Sequence, residues 1–155
     1  MSRGRANHHL YLARLLIDGW EAQRAAGAAP ADIVDAAHAP GVREQLLAAY
    51  GWYLLAVLDP TGEADGPPPR CCDELPEPAA GKARPAELRE FAQLEREGWL
   101  AGLLAPLPAA LPTRSRVPGN LLAAEQGMPD PAQARAWHRE LSNTLARMND
   151  SLDES

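Results

Sequence analysis

The N-terminal stretch RANHHLYLARLL contains the residue types used for proton transfer and anion binding. Its adjacent histidines, His8 and His9, follow Arg3 and Arg5. Histidine can move a proton near neutral pH, and arginine binds phosphate. A helical metal site needs ligands three or four residues apart, whereas adjacent side chains diverge by about 100°. We therefore predict no metal site and take Arg3, Arg5 and His8 as candidate binding residues at an exposed edge.

The spacing of Arg3 and His8 resembles that of small helical ribonucleases of the HEPN type, which use an Arg and a His four to six residues apart. The resemblance implies RNA binding or cleavage, with histidine moving a proton and arginine stabilising the phosphorane. That family keeps its motif in a late helix, where this chain has Arg135 and His138 at too short a spacing. An RNA-binding or RNA-cleaving protein is therefore an alternative hypothesis.

Two further groups lie in proline-rich connections. Arg114 and Arg116, in PTRSRVPGN, form a small basic tip and complete the set of candidate binding residues. Cys71 and Cys72 are adjacent, whereas a redox motif needs C-x-x-C and a zinc site needs two such pairs. We interpret them as incidental thiols. The chain has no phosphate-binding loop, GxGxxG, GxSxG or HExxH pattern, so we predict no catalytic residue and no cofactor.

Composition and charge define the class of protein. The 155 residues suit a single domain, and the abundance of Ala and Leu over β-branched residues favours helices. A net charge of −6 argues against nucleic acid as a partner, because its phosphates would be repelled on average. No apolar run is long enough to cross a membrane, and Arg14 and Asp18 interrupt any signal peptide, so we predict a cytoplasmic protein.

The hydrophobic pattern predicts an all-α, antiparallel four-helix-bundle-like domain. Asn7 is the expected N-cap of the first helix, Pro40 is expected to end a short one, and Asp130 is expected to cap the last. The last helix carries one apolar seam from Trp137 to Leu152. Between the helices, residues 59–85 are proline-rich and acidic, which predicts a mobile loop. The predicted helices cover 5–26, 32–38, 42–58, 86–104, a turn at 121–126, and the segment that follows Asp130.

Gly51 lies inside the most apolar helix, where glycine costs about 1 kcal/mol relative to alanine. We expect another backbone to approach the helix closely at this position. Three Gly-Trp dipeptides, which include Gly51-Trp52, indicate more generally that small residues admit neighbouring helices while indoles fill gaps.

The stretches RANHHLYLARLLIDGW and VREQLLAAYGWYLLAVL resemble a family of short proteobacterial proteins known only as a domain of unknown function. The resemblance implies a small cytoplasmic all-α bacterial protein and transfers no activity. Our leading hypothesis is a non-enzymatic module that binds another protein or itself, because Tyr11, Trp52 and Tyr53 could extend past the core. A third hypothesis is a bundle that binds a small ligand in a pocket lined by Trp and Tyr.

Overall fold

The fold is all-α and bundle-like in the parts that the structure, a computed structural model, describes: residues 1–62, 65–78, 80–109 and 127–154. The predicted fold class is thereby confirmed. No helix in these ranges is long and apolar enough to cross a membrane. The predicted turn at 121–126 lies outside them. The α-helices are α1 (Ser2–Ala26), α2 (Ala31–Leu58), α3 (Ala86–Glu97), α4 (Trp99–Leu104) and α5 (Pro131–Glu154), with a short 3-10 helix at Cys72–Glu74.

Helices α1 and α2 form an antiparallel hairpin, the most extensive helix pair of the fold. One face of α1 repeats Ala6, Ala13, Ile17 and Trp20 and is fully buried. Small residues on this face let the two helix axes approach, while Trp20 fills the space near the turn. Helix α1 ends at Gly27, which adopts φ 67°, a left-handed conformation that glycine takes without strain.

The expected start of α1 is wrong: Asn7 lies inside the helix rather than at its cap, because α1 begins at Ser2. Ser2 and Ala6 are both buried, so the first turn belongs to the packed structure. Arg3 ties that turn to the end of α5 through Asp153, at 3.3 Å. Tertiary contacts therefore extend the helix beyond the position that local capping indicates.

The expected break at Pro40 is also wrong, since α2 continues through it. Proline removes one helical hydrogen bond and its ring crowds the preceding turn. Here Val34 and Ala39 before it, and Val42 just after it, are buried, while Pro40 itself is exposed. Packing on both sides of the proline outweighs the local penalty.

The expected single helix over 86–104 is two helices, α3 and α4, separated by Gly98. The backbone of Gly98 is extended, with φ −104° and ψ −165°. A Cβ at this position would lie 3.0 Å from the Cα of Leu94, so the last turn of α3 leaves no room for a side chain there. The break redirects the chain so that Leu100 and Leu103 enter the core.

Helix α5 has the predicted cap and seam. The amide of Gln133 donates to Oδ1 of Asp130 at 2.8 Å, so Asp130 caps the helix as expected. Leu141, Leu145 and Met148 of the seam are buried. The seam's two ends, Trp137 and Leu152, are partly buried against the same core.

Gly51 meets another backbone, as predicted. A Cβ added to Gly51 would overlap the carbonyl oxygen of Pro69 and lie 3.0 Å from the Cβ of Pro68. The proline-rich segment therefore crosses α2 at its only glycine in the second half of the helix. The other two Gly-Trp positions behave differently, because Gly19 faces open space and Gly98 ends α3.

Candidate functional site

The arginines and the histidine proposed as an N-terminal binding edge are directed to different neighbours. Arg3 pairs with Asp153 of α5. The guanidinium of Arg5 stacks over the indole of Trp52 in α2, 4.4 Å from its centroid. His8 is exposed. Arg114 and Arg116 lie outside the described residues. Arg3 and Arg5 thus link α1 to α5 and α2, while both Arg5 and His8 are exposed to solvent.

His9 and His138 are both packing residues. His9 Nδ1 lies 2.7 Å from Oε1 of Gln45, on α2. His138 Nε2 donates to the carbonyl of Leu10 at 3.0 Å, on α1. Burial lowers the pKa of His138, so the neutral ring is favoured in the folded protein. Arg135, which lies on α5 one turn before His138, pairs at 2.8 Å with both Asp18 and Glu21 of α1.

A partly buried polar cluster joins the proline-rich segment, residues 59–85, to the bundle. Tyr50 donates its hydroxyl to Oε1 of Glu95 at 2.5 Å, and the amide of Cys72 donates to the same oxygen at 2.8 Å. The Cys72 thiol donates to the carbonyl of Leu88 at 3.7 Å. Glu95 thereby connects α2, α3 and the segment that precedes α3.

The hydrogen bonds of this cluster attach the proline-rich segment to the bundle, and we call them the tether through Glu95. Burial is the main cause that raises the pKa of Tyr50, and it raises the pKa of Cys72 to about 12. Cys72 therefore stays a protonated thiol near neutral pH, whereas a nucleophilic cysteine needs its thiolate. Cys71 is half-buried, and both cysteines are free.

Asp35 forms a second buried centre, at the closed end of the α1–α2 hairpin. Its Oδ1 accepts from Trp20 Nε1 and from Arg24 Nε, each at 2.8 Å, and its Oδ2 accepts from Arg24 Nη2 at 2.6 Å. Burial alone would raise the pKa of Asp35, but the hydrogen bonds from Arg24 and Trp20 hold it below its ordinary value. His38 stacks on the Trp20 ring at 6.0 Å.

The side of α1 opposite its buried face is exposed and apolar. Tyr11, Leu15 and Leu16 are 52%, 46% and 38% exposed, and half-buried Leu12 lies between them. Gly19, one turn after Leu15, has no atom within 4 Å of the position its Cβ would take. We call this exposed side of α1, from His8 to Ala22, the outer face of α1.

The flanks of the outer face are occupied by the rest of the fold. On one flank, Leu16 approaches Gly41 of α2, where an added Cβ would be 3.9 Å away. On the other, Asp18 binds Arg135 of α5. The guanidinium of Arg14 lies 5.7 Å from the Tyr11 ring centroid. The outer face is therefore a bounded apolar surface, held in place by helices on both sides.

Of the three aromatic residues expected to extend past the core, only Tyr11 does so. Trp52 and Tyr53 are buried, with 7% and 1% of their surface exposed. Tyr53 donates to Oδ1 of Asn149 at 2.9 Å, which fixes α2 against α5. The expectation for Trp52 and Tyr53 is wrong because the second half of α2 is enclosed by its neighbours.

The cavities in the described ranges meet the expectation of a Trp- and Tyr-lined pocket only in part, because one of about 710 Å³ beside α4 and the start of α5 is lined by Trp137 but by no Tyr. Another, of about 580 Å³, lies between the end of α2 and the proline-rich segment. Its lining includes Val57, Pro78, Lys82 and Pro85 but no Trp or Tyr. Trp20, Tyr50 and Tyr53 are instead packed in the core.

Comparison of the chain with protein-family models, with curated proteins and with solved structures finds no match.

Sequence reasoning missed the Glu95 cluster and the Asp35 centre. Asp35 and Arg24 lie on separate helices, so no short motif contains them. Glu95 sits on α3 among the exposed charges of LEREG, and its role depends on the return of Cys72 from a segment without periodicity. The spacing of Leu12, Leu16 and Trp20, with Leu15 beside them, predicts the buried stripe of α1, and this prediction is wrong for Leu15 and Leu16, which are exposed.

Proposed function

We propose that this protein is a non-enzymatic interaction module that binds a helix of a protein partner on the outer face of α1. The observation that supports this is the exposure of Tyr11, Leu15 and Leu16 on consecutive turns of one helix. Two of these side chains are leucines about half in water, and their burial against a partner would each contribute roughly 1 kcal/mol.

The geometry of the face suits a helix as its partner. Gly19 leaves a depression beside Leu15, and Tyr11 forms a ridge on the preceding turn. Ridges and grooves of this spacing are what a second helix packs into. Tyrosine also supplies large contact area with few rotatable bonds.

The setting of the protein is part of the proposal. Two free cysteines are compatible with a reducing, cytoplasmic compartment. The resemblance to short proteobacterial proteins supports a bacterial source. Neither observation identifies the partner, which we infer from the outer face of α1 alone.

Site-specific photo-crosslinking in cells tests the proposal. A benzophenone amino acid at Tyr11 should give a discrete protein adduct, and the Leu15→Glu substitution in the same chain should abolish it. The matched control places the same probe at Gln93, an exposed position on α3. Equal adduct patterns at both positions, or adducts at Tyr11 that persist with Leu15→Glu, would show that the outer face has no specific partner.

A further inference from the structure

We infer that the partner of the outer face is a second copy of this chain, packed through an antiparallel α1–α1 contact with its two-fold axis at Leu15. This inference rests on the proposed function and names the occupant of that surface. It draws on the order of side chains along α1, on the charges that flank them, and on the open space at Gly19.

The outer face of one copy is complementary in shape to the outer face of a second copy that runs in the opposite direction. A two-fold axis at Leu15 pairs residues whose numbers sum to 30, so Tyr11 meets Gly19 and His8 meets Ala22 of the second copy. Each pair sets a large side chain against a small one, and the position of a Gly19 side chain is open. Such pairing lets two helix axes approach closely while the large rings fill the gaps.

Charge along α1 favours the antiparallel arrangement. Residues 1–14 contain Arg3, Arg5 and Arg14 and no acid, whereas residues 15–26 contain Asp18, Glu21 and one arginine, Arg24, which pairs with Asp35 of α2. A parallel pair would align like charges, whereas an antiparallel pair sets the basic half against the acidic half.

The flank next to α5 shows the same complementarity at close range. A two-fold axis keeps this flank of both copies on one side of the contact. Asp18 of one copy then lies about 3 Å along the axis from Arg14 of the other, given the helical rise per residue. Asp18 already pairs with Arg135 of its own chain, so Arg14 of the second copy would join an existing ion-pair network at the rim of the interface.

Sedimentation of the purified full chain tests whether the dimer forms. The wild type should dimerise in the micromolar range, and Leu15→Glu should raise the dimer Kd roughly tenfold or more, because two carboxylates would meet at the axis. Gln93→Glu adds the same charge on exposed α3 and should leave Kd unchanged. A monomeric wild type, or equal weakening by both substitutions, would overturn the inference.

Disulfide trapping tests the register. Under a mild oxidant, Leu15→Cys should form a covalent dimer through the introduced thiol, mapped by peptide mass. Gly4→Cys is the control on the same helix, because its two copies would lie about 33 Å apart along the axis. Trapping at Gly4→Cys but not at Leu15→Cys, or a disulfide from the introduced thiol at position 15 to Cys71 of the same chain, would refute this arrangement.

The two proposals fail differently. If the wild type sediments as a monomer while Tyr11 still gives a Leu15-dependent adduct with another protein in cells, the second copy is wrong and the interaction surface stands. If neither dimer nor adduct forms, both are wrong.

Discussion

Asp35 is the buried charge that closes the α1–α2 hairpin, since it accepts hydrogen bonds from Trp20 and Arg24. Asp35→Ala should lower the free energy of unfolding by about 2 kcal/mol, because the indole N–H would stay buried without a partner. Urea denaturation measures the change. The control is Asp32→Ala in the exposed first turn of α2, where loss of a helix-dipole contact should cost less than about 1 kcal/mol. Equal losses would mean that the indole hydrogen bond contributes nothing.

His138 should make the fold sensitive to mild acid. Burial lowers its folded-state pKa below the ordinary 6.5, so its contribution is fully present above pH 6.5 and is lost as pH falls through the folded value. The Asp35 pKa is also lowered, so its contribution is lost only as pH falls below 3.8.

Thermal unfolding followed against pH tests this assignment. His138→Gln keeps a donor for the Leu10 carbonyl and should flatten the stability profile between about pH 7 and 5. His8→Gln, at an exposed position, should leave the profile as in the wild type. If the stability of His138→Gln falls with pH as steeply as that of the wild type, the acid sensitivity arises from another residue.

At the scale of helices, the sequence predicted those features that nearby residues determine, such as caps and apolar seams. Helix α5 was predicted because Asp130 supplies its cap and one seam of apolar residues runs its length. Pro40 and Asn7 misled the prediction because each gives a strong local signal that packing overrides. The split at Gly98 was missed because periodicity does not show that the chain turns extended there, at a position where a Cβ would crowd Leu94.

Gly51 and Gly41, ten residues apart in α2, provide a test of close approach. Gly51→Ala should destabilise the protein, because its Cβ would overlap the Pro69 carbonyl and displace the proline-rich segment. Gly41→Ala should stabilise it by about 1 kcal/mol, since its Cβ would meet only Leu16 at 3.9 Å and alanine favours the helix. Chemical denaturation of both variants gives the signs, and a stabilised Gly51→Ala would contradict the packing.

The tether through Glu95 should control access to the proline-rich segment. Glu95→Ala removes the acceptor shared by Tyr50 and the Cys72 amide, so tryptic cleavage after exposed Arg70 should become faster. Tyr50→Phe leaves the Cys72 amide bonded and should have a smaller effect. Cleavage after exposed Arg139 in α5 is the internal control. Parallel acceleration at both sites would indicate global destabilisation instead of local release.

At the scale of the whole molecule, the sequence predicted the bundle but not the surface that it presents. The aromatic residues are the clearest example: Tyr11, Trp52 and Tyr53 are similar in type, and all three lie on long helices. Only the three-dimensional arrangement shows that α3 and α5 enclose Tyr53 and that Arg5 of α1 covers Trp52, while Tyr11 stays outside. Which face of a helix remains uncovered depends on where the other helices pack, and that information is distributed over the chain.

Dimerisation through α1 should make stability depend on protein concentration. A dimer that binds only folded chains raises Tm by mass action, so the wild-type Tm should increase with concentration while that of Leu15→Glu should not.

Gly19→Lys separates dimerisation from monomer stability. Lysine favours a helix over glycine by roughly 0.5–1 kcal/mol, and the Gly19 position has open space around it, so the monomer should be stabilised. In the dimer, the same side chain would occupy the depression that receives Tyr11 and would block the contact. We therefore expect Gly19→Lys to melt above the wild type in dilute solution and to show no rise with concentration. A Tm for Gly19→Lys that rises with concentration as steeply as the wild type's would place the dimer contact elsewhere on the molecule.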